Sequence, residues 1–231
     1  MRGVVLTGAG ISAESGVPVF RGDDGLWEGH RVEDVATPGG FGRDAEKVHR
    51  FYNARRRRLL EVEPNGAHRA LARLAREWPG ELTLVTQNID DLHERAGSPE
   101  VLHMHGELLK SRCCLCGAVA ACTGDLSRAS LCGVCDGIDC LRPHVVWFGE
   151  MPFHLGEIER AMQRADWFVS IGTSGRVYPA AGFVLAAAEA GARTIELNLD
   201  PGEMSSAFDE SRLGPASELV PAWVDEILAG G

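Results

Sequence analysis

The sequence predicts an α/β protein, a doubly wound parallel sheet with a smaller lobe attached, and three observations carry that prediction. Short β-branched apolar runs alternate with amphipathic stretches over most of the 231 residues, the pattern of strands joined by crossover helices. The first run, Gly3-Val4-Val5-Leu6-Thr7, opens into the glycine-rich turn Gly8-Ala9-Gly10-Ile11-Ser12-Ala13-Glu14, as a parallel strand does where it passes into a helix beside a phosphate. Between residues 107 and 141 apolar periodicity falls while cysteine and glycine rise, which marks an insert of different construction.

Gly8, Gly10 and Ala13 match G-x-G-x-x-G/A at a strand end, although a plain tight turn uses the same residues. A dehydrogenase would next need an acidic residue closing a second strand about 20 residues on. Here Val17-Pro18-Val19-Phe20-Arg21-Gly22 leads to Trp27, a proline- and glycine-broken loop carrying an aromatic and a cation. Such a loop suits a nucleotide that is broken open better than one that lends a hydride. Residues 28–42 read as loop with one short helical turn. Val48, Phe51, Tyr52, Arg55 and Leu59 share a face of a helix over 44–61, which Pro64-Asn65-Gly66 ends. A second helix over 67–78 carries Leu71, Leu74 and Ala75 and stops at Pro79-Gly80. A buried strand follows at 82–86, then a short helix at 91–96 closed by Gly97. Beyond the insert, strands are expected at 145–148, 167–171 and 194–198, with helices at 155–165, 180–190 and 222–228. The expected organisation is one unit over 1–231. Its Rossmann-like part covers about 1–28, 80–106 and 142–231, and the small lobe is helical over 29–79 and zinc-binding over 107–141.

Composition narrows the class. A formal charge of −10 argues against a specific nucleic-acid binder, which would show a basic stripe. No apolar run approaches the ~18 residues of a membrane span. Strand-like sequence from Gly3 leaves no room for an export signal, and seven cysteines without one fit a reducing, cytoplasmic home.

Cys113-x-x-Cys116 and Cys132-x-x-Cys135 form two knuckles separated by fifteen residues, the spacing of a closed, tetrahedral, structural zinc site. Cys140 could replace one of the second pair; Cys114 and Cys122 have no assigned role. Gln87-Asn88-Ile89-Asp90 follows the 82–86 strand at the edge where cofactors bind, or else Asn88 or Asp90 caps the next helix. His103 and His105 would share one face of a strand as two ligands, two core histidines, or one base and a bystander. Gly172-Thr173-Ser174 and Asn198-Leu199-Asp200 end two further strands at the same sheet edge. Arg55-Arg56-Arg57-Arg58 is either a basic surface or, through Arg55 beside Tyr52, something more selective.

The series from Gly8 to Trp27, Gln87-Asn88-Ile89-Asp90, His103-Met104-His105-Gly106, the paired cysteines and Gly172-Thr173-Ser174 resembles the sirtuin family of NAD-dependent protein-lysine deacylases. The resemblance runs in order from about Gly3 to Leu228. It implies NAD held by Gly8, Ala9, Gly10, Ala13, Glu14, Phe20, Arg21, Trp27, Gln87, Ile89 and the two strand-end loops, with Ala216 at the adenosine half. Asn88 and Asp90 would line the nicotinamide-ribose pocket. His105 would be the base that removes a ribose hydroxyl proton, and Phe20 would shield the intermediate. The products implied are free lysine, nicotinamide and O-acyl-ADP-ribose. Val146, Phe148 and Gly149 would pair with a substrate peptide main chain to main chain. Tyr-x-x-Arg at Tyr52 and Arg55 resembles the branch that removes succinyl, malonyl or glutaryl groups, while retaining deacetylation. A buried acyl carboxylate needs such a guanidinium and phenol, and small Ala36 leaves room for the longer chain. An ordinary deacetylase, protein ADP-ribosyl transfer and a non-catalytic NAD or ADP-ribose binding module are the competing readings. Oligomeric state is not legible.

Overall fold

The computed structural model describes residues 1–19 and 26–230; Phe20 and Arg21 lie outside the described residues. In chain order the elements are β1 (Arg2–Thr7), α1 (Ala9–Ala13), β2 (Leu26–Trp27), β3 (His30–Arg31), α2 (Val32–Val35), α3 (Pro38–Arg43), α4 (Ala45–Leu59), α5 (Gly66–Glu77), β4 (Glu81–Thr86), α6 (Leu92–Arg95) and β5 (Leu102–His103). There follow β6 (Gly106–Cys113), β7 (Val119–Ala121), β8 (Leu141–Val145), α7 (Leu155–Met162), β9 (Trp167–Ile171), α8 (Phe183–Glu189), β10 (Arg193–Asn198), β11 (Glu210–Leu213) and α9 (Ala216–Ala229).

Six strands form one parallel sheet in the order β11-β10-β9-β1-β4-β5. Counted in chain order within that sheet this is 3-2-1-4-5-6, the Rossmann arrangement, and its switch point lies between β1 and β9. Strand alternation sends successive β1 side chains to opposite faces. Val5 joins Leu71, Leu74, Val220 and Trp223 under α5 and α9. Val4 and Leu6 join Ile158, Met162, Phe168 and Val184 under α7 and α8. Both faces are therefore covered, and the open ground is the carboxyl edge of the strands. A third core, with Val48, Phe51, Tyr52, Leu108 and Trp147, joins α4 to β6 and β8. Among the described residues no helix is long and apolar enough to cross a membrane.

Helix starts follow local chemistry. Asp44 accepts the Lys47 N–H at 2.9 Å and starts α4, and Asn65 accepts the Ala67 N–H at 2.9 Å and starts α5. The sequence reading departs from the structure in four places. Residues 28–42 hold the turn and second strand of a hairpin over 26–31 and two short helices, the second begun by Thr37, which accepts the Gly40 N–H in front of Pro38 at the first turn of α3. The strand expected at 145–148 is instead β8, antiparallel to β6 in the separate sheet β7-β6-β8. Pro143 sits in β8 beside an irregularity between Glu107 and Ser111, as a residue without an N–H must. The terminal helix begins at Ala216 and absorbs Pro221. Edge strand β11, with alternating half-buried and exposed residues, was not expected at all.

Candidate active site at the sheet edge

One cavity of about 330 Å³ opens at the carboxyl ends of β1, β4 and β9 and extends towards α4 and the segment after β8. Gly8 and Ala9 bound it on one side, Gly172, Thr173 and Ser174 beside them, and Gln87 to Asp90 across from them. Gly8 N–H donates to Ile171 O at 2.9 Å and Gly10 N–H to Gly172 O at 2.9 Å. A Cβ on Gly10 would lie 2.7 Å from Gly172 Cα and 2.9 Å from its carbonyl oxygen. The glycines are thus also needed so that two strand-end loops can touch. Gly10→Ala should destabilise the protein by roughly 1–3 kcal/mol, read as a lowered Tm in thermal unfolding.

Behind this wall lies a buried polar network. Ser12 Oγ donates to Asp90 Oδ2 at 2.9 Å, and Asn88 Nδ2 donates to Ser12 Oγ and Gly8 O, each at 3.1 Å. The other Asp90 oxygen accepts the Leu92 N–H at 3.2 Å. Asp90 is therefore both helix start and cavity wall, whereas Asn88 caps nothing. Burial lifts the Asp90 pKa to about 6 against the opposing Ser12 and Leu92 hydrogen bonds. Ser12, His68 and His93 carry this network and were not singled out in the sequence. His68 Nε2 lies 3.4 Å from Ser12 Oγ, and His93 Nε2 lies 2.9 Å from Thr7 Oγ1. Burial holds His68 down to about 4 and His93 well below the usual range, so both are neutral near pH 7.

The two histidines of the H-x-H differ in surroundings, because β5 ends at His103 and the chain turns before His105. His103 is locked between Asn88 O at 3.2 Å and Glu94 Oε1 at 2.7 Å. Burial works against its charged form, but the Glu94 contact outweighs burial and raises its pKa. His105 lines the cavity, and its Nδ1 sits 3.0 Å from Gln87 O. A carbonyl only accepts, so Nδ1 carries the proton and Nε2 is a free base. Burial lowers its pKa, partly offset by the Gln87 hydrogen bond.

The far end of the cavity is made by α4. The four consecutive arginines Arg55 to Arg58 on it have four different fates. Arg56 is fully buried and donates to Leu108 O at 3.1 Å and Asn53 Oδ1 at 2.7 Å. Arg57 pairs with Asp125 at 2.6 Å on the surface, and Arg58 Nε donates to Gly16 O at 3.0 Å. Arg55 faces the cavity with Tyr52, Trp27 and Ala36. Its side chain is only 11% exposed, and burial lowers its pKa to about 10 against the pull of Glu28. Tyr52 OH accepts from Trp147 Nε1 at 3.0 Å, and burial drives the phenol pKa far up.

Val146 N–H donates to His105 O at 2.8 Å and Phe148 N–H to Ala36 O at 2.9 Å, while Trp147 N–H goes to Glu150 Oε2 at 2.9 Å. Arg142 holds Glu150 through two contacts at 2.6 and 2.9 Å and lies 3.3 Å over the Trp147 ring. Val146, Phe148 and Gly149 all border the cavity. The remaining expected residues lie outside it. Asn198 Nδ2 donates to Thr173 O at 2.8 Å, and Leu199 and Asp200 are exposed beyond it. Glu14 accepts the Ser217 N–H at 2.9 Å, which brings Ala13 and Glu14 to Ala216 at the start of α9.

Cys113, Cys116, Cys132 and Cys135 place their sulfurs within 4.8 Å of one another. The Cys113–Cys135 and Cys116–Cys132 separations are both 3.7 Å. A tetrahedron of zinc–sulfur bonds has edges of about 3.8 Å, so the tetrad fits zinc. Cys140 stands aside, 3.5 Å from Cys113 Sγ and 3.1 Å from Gly137 O.

The Sir2 family model matches residues 8–179. The chain belongs to the Sir2 family. An NAD-dependent protein deacylase of Vibrio vulnificus is 59% identical over 98% of this chain and 93% of its own length. An NAD-dependent protein deacylase of Shigella flexneri is 58% identical over 99% of this chain and 85% of its own. A crystal structure of a Sir2 homologue–NAD complex superposes with a TM-score of 0.90 at 41% identity, covering 99% of this chain and 90% of the other. This Sir2 chain thus shares both the sheet and the sequence of those proteins over nearly its whole length.

Proposed function

We propose that this Sir2 protein is an NAD-dependent protein-lysine deacylase that favours acyl groups ending in a carboxylate, succinyl and malonyl before acetyl. Arg55 carries the reading. It is a guanidinium sunk into the cavity wall beside Tyr52, Trp27 and Ala36, with the half-exposed Glu28 as its only ion-pair partner among the described residues. An acetyl pocket gains nothing from such a charge, whereas a buried carboxylate requires it. Tyr52 adds direction: Trp147 already donates to its oxygen, so the phenol's own proton is left to donate.

The cavity residues fit NAD. Asp90, with a pKa of about 6 and one hydroxyl already bound, can both accept from and donate to a carboxamide. Asn88, tied to Ser12 in the same network, would face the ribose. Gly8, Ala9, Gly172, Thr173 and Ser174 supply the close-packed loops for the remainder, with Asn198, Leu199, Asp200 and Ala216 outermost. NAD, when bound, would supply an electrophilic ribose carbon that the acyl oxygen attacks as nicotinamide leaves. His105 Nε2 takes the ribose hydroxyl proton, and the Gln87 carbonyl keeps its ring oriented. Val146, Phe148 and Gly149 receive the acylated protein segment through main-chain pairing. Zinc on the four cysteines holds the small lobe, taken as about 29–79 and 107–141, against the Rossmann-like part. Paired cysteines used as metal ligands rather than as disulfides suit a reducing, cytoplasmic setting.

The test is turnover of matched acetyl-lysine and succinyl-lysine peptides with NAD by wild type and Arg55→Met. Succinyl kcat/KM should fall about a hundredfold in the variant, as expected when one partner of a buried charge pair is lost, while acetyl turnover persists. Equal effects on both peptides would overturn the carboxylate preference. Turnover of neither peptide by the wild type, with NAD cleaved onto protein instead, would favour ADP-ribosyl transfer.

A further inference from the structure

The hairpin ahead of α2 holds a residue its geometry disfavours. β2 and β3 are joined by Glu28 and Gly29 alone, and both have positive φ, 46° and 77°, the pair of left-handed residues a type I′ turn requires. Glycine adopts this freely; glutamate does so only against steric resistance, where aspartate, asparagine or glycine is the usual choice. Such strain persists where surrounding contacts hold it, and often where it serves a site. Here the turn aims the Glu28 carboxylate at Arg55 Nη2, 2.5 Å away, on the wall of the same cavity.

Arg55 does not depend on that contact for its position. Its Nη1 donates to Phe51 O at 3.0 Å, and its guanidinium lies 3.2 Å over the Phe51 ring and 4.6 Å from Trp27. Glu28, by contrast, is 36% exposed on its side chain, so its carboxylate can swing into water. One partner is fixed and the other is replaceable.

We infer that Glu28 is an internal stand-in for the acyl carboxylate, paired with Arg55 while a neutral acyl group is bound and displaced when the acyl chain brings its own carboxylate. The inference rests on the Arg55 reading given above. It has a direct consequence for selectivity. With acetyl-lysine bound, Arg55 would otherwise be a buried cation without a counter-charge, which is costly; Glu28 removes that cost and lets the enzyme accept neutral groups. With succinyl-lysine bound, two carboxylates compete for one guanidinium and repel each other, so Glu28 weakens succinyl binding. Glu28 therefore sets the ratio of the two activities.

The test is the Glu28→Gln variant with matched acetyl and succinyl peptides. The succinyl-to-acetyl ratio of kcat/KM should rise about fivefold, the size of one partly exposed ion pair, mainly through a lower KM for the succinyl peptide. Glu28→Asp, which suits the turn but falls short of Arg55, should shift the ratio the same way. In an Arg55→Met background Glu28→Gln should leave the ratio where Arg55→Met alone put it. A ratio unchanged or lowered by Glu28→Gln overturns the inference, as does an equal rise without Arg55. If Arg55→Met itself spares succinyl turnover, the carboxylate clamp fails first, and the two failures are told apart.

Discussion

Replacing His105 with asparagine should lower kcat about a thousandfold for acetyl and succinyl peptides alike, as expected for loss of a general base. Both acyl groups should suffer equally, because His105 as base would act on the ribose and not on the acyl carboxylate that Arg55 would hold. NAD affinity, read by titration, should change little, since Asn88, Asp90 and the glycine loops are untouched. The pH profile gives a second reading. His105 must be neutral to accept a proton, and burial lowers its pKa below the usual 6.5. Activity is then full at neutral pH and declines only as pH falls through a midpoint below 6.5. A wild-type acid limb centred above 6.5, or an unimpaired asparagine variant, would remove His105 from this role.

Replacing Cys132 with serine should release the metal and abolish turnover together. The cluster around the tetrad has almost no apolar core of its own: it consists of the buried Cys113, Cys132 and Cys140 with Ala118 and Leu141 packed beside them. A structural zinc contributes on the order of 10 kcal/mol to such a lobe. The loss should reach the cavity because β6 runs from Gly106 to Cys113, starting next to His105 and ending at a ligand. Gly106 has φ 81°, and a Cβ there would lie 2.2 Å from His144 O, so β6 and β8 are tightly registered at that point. Zinc content measured with a colorimetric chelator, beside peptide turnover, checks this. Cys140→Ser is the control: it should keep its zinc, because the other four sulfurs close the tetrahedron.

The parallel sheet was legible because its strands are continuous apolar runs buried on both faces, and Trp167 to Ile171 falls where that pattern puts it. The cysteine tetrad was legible because ligand spacing is local. What was not legible depended on partners far away in sequence. Nothing in Ile11-Ser12-Ala13 marks Ser12 as the hub between Asn88 and Asp90, since a serine in a short helix looks the same in any setting. Arg55 to Arg58 read as one basic run, yet each arginine meets a different neighbour once α4 packs on β6. Val145 to Phe148 looked like a sheet strand because its residues are apolar, but only Val145 pairs, at the end of β8 against β6; Trp147 is buried against Tyr52 and Phe41, and Phe148 is exposed. Glu28 was hidden for the same reason: its role exists only where the hairpin meets α4.

The strand order has a consequence for how the protein is made. β1 is central, and Arg2 N–H is hydrogen-bonded to Asp166, 164 residues away. At about 5–20 residues per second, the ribosome delivers β9 roughly 10–30 s after β1. During that interval the strand that bears the glycine turn has one bare edge. The cysteine knuckles, whose ligands lie close together in the chain, can close round a metal before β9 arrives. The lobe next to His105 has all its cysteine ligands in the chain before β9 exists, whereas the nucleotide cleft still waits for β9, β10 and the start of α9.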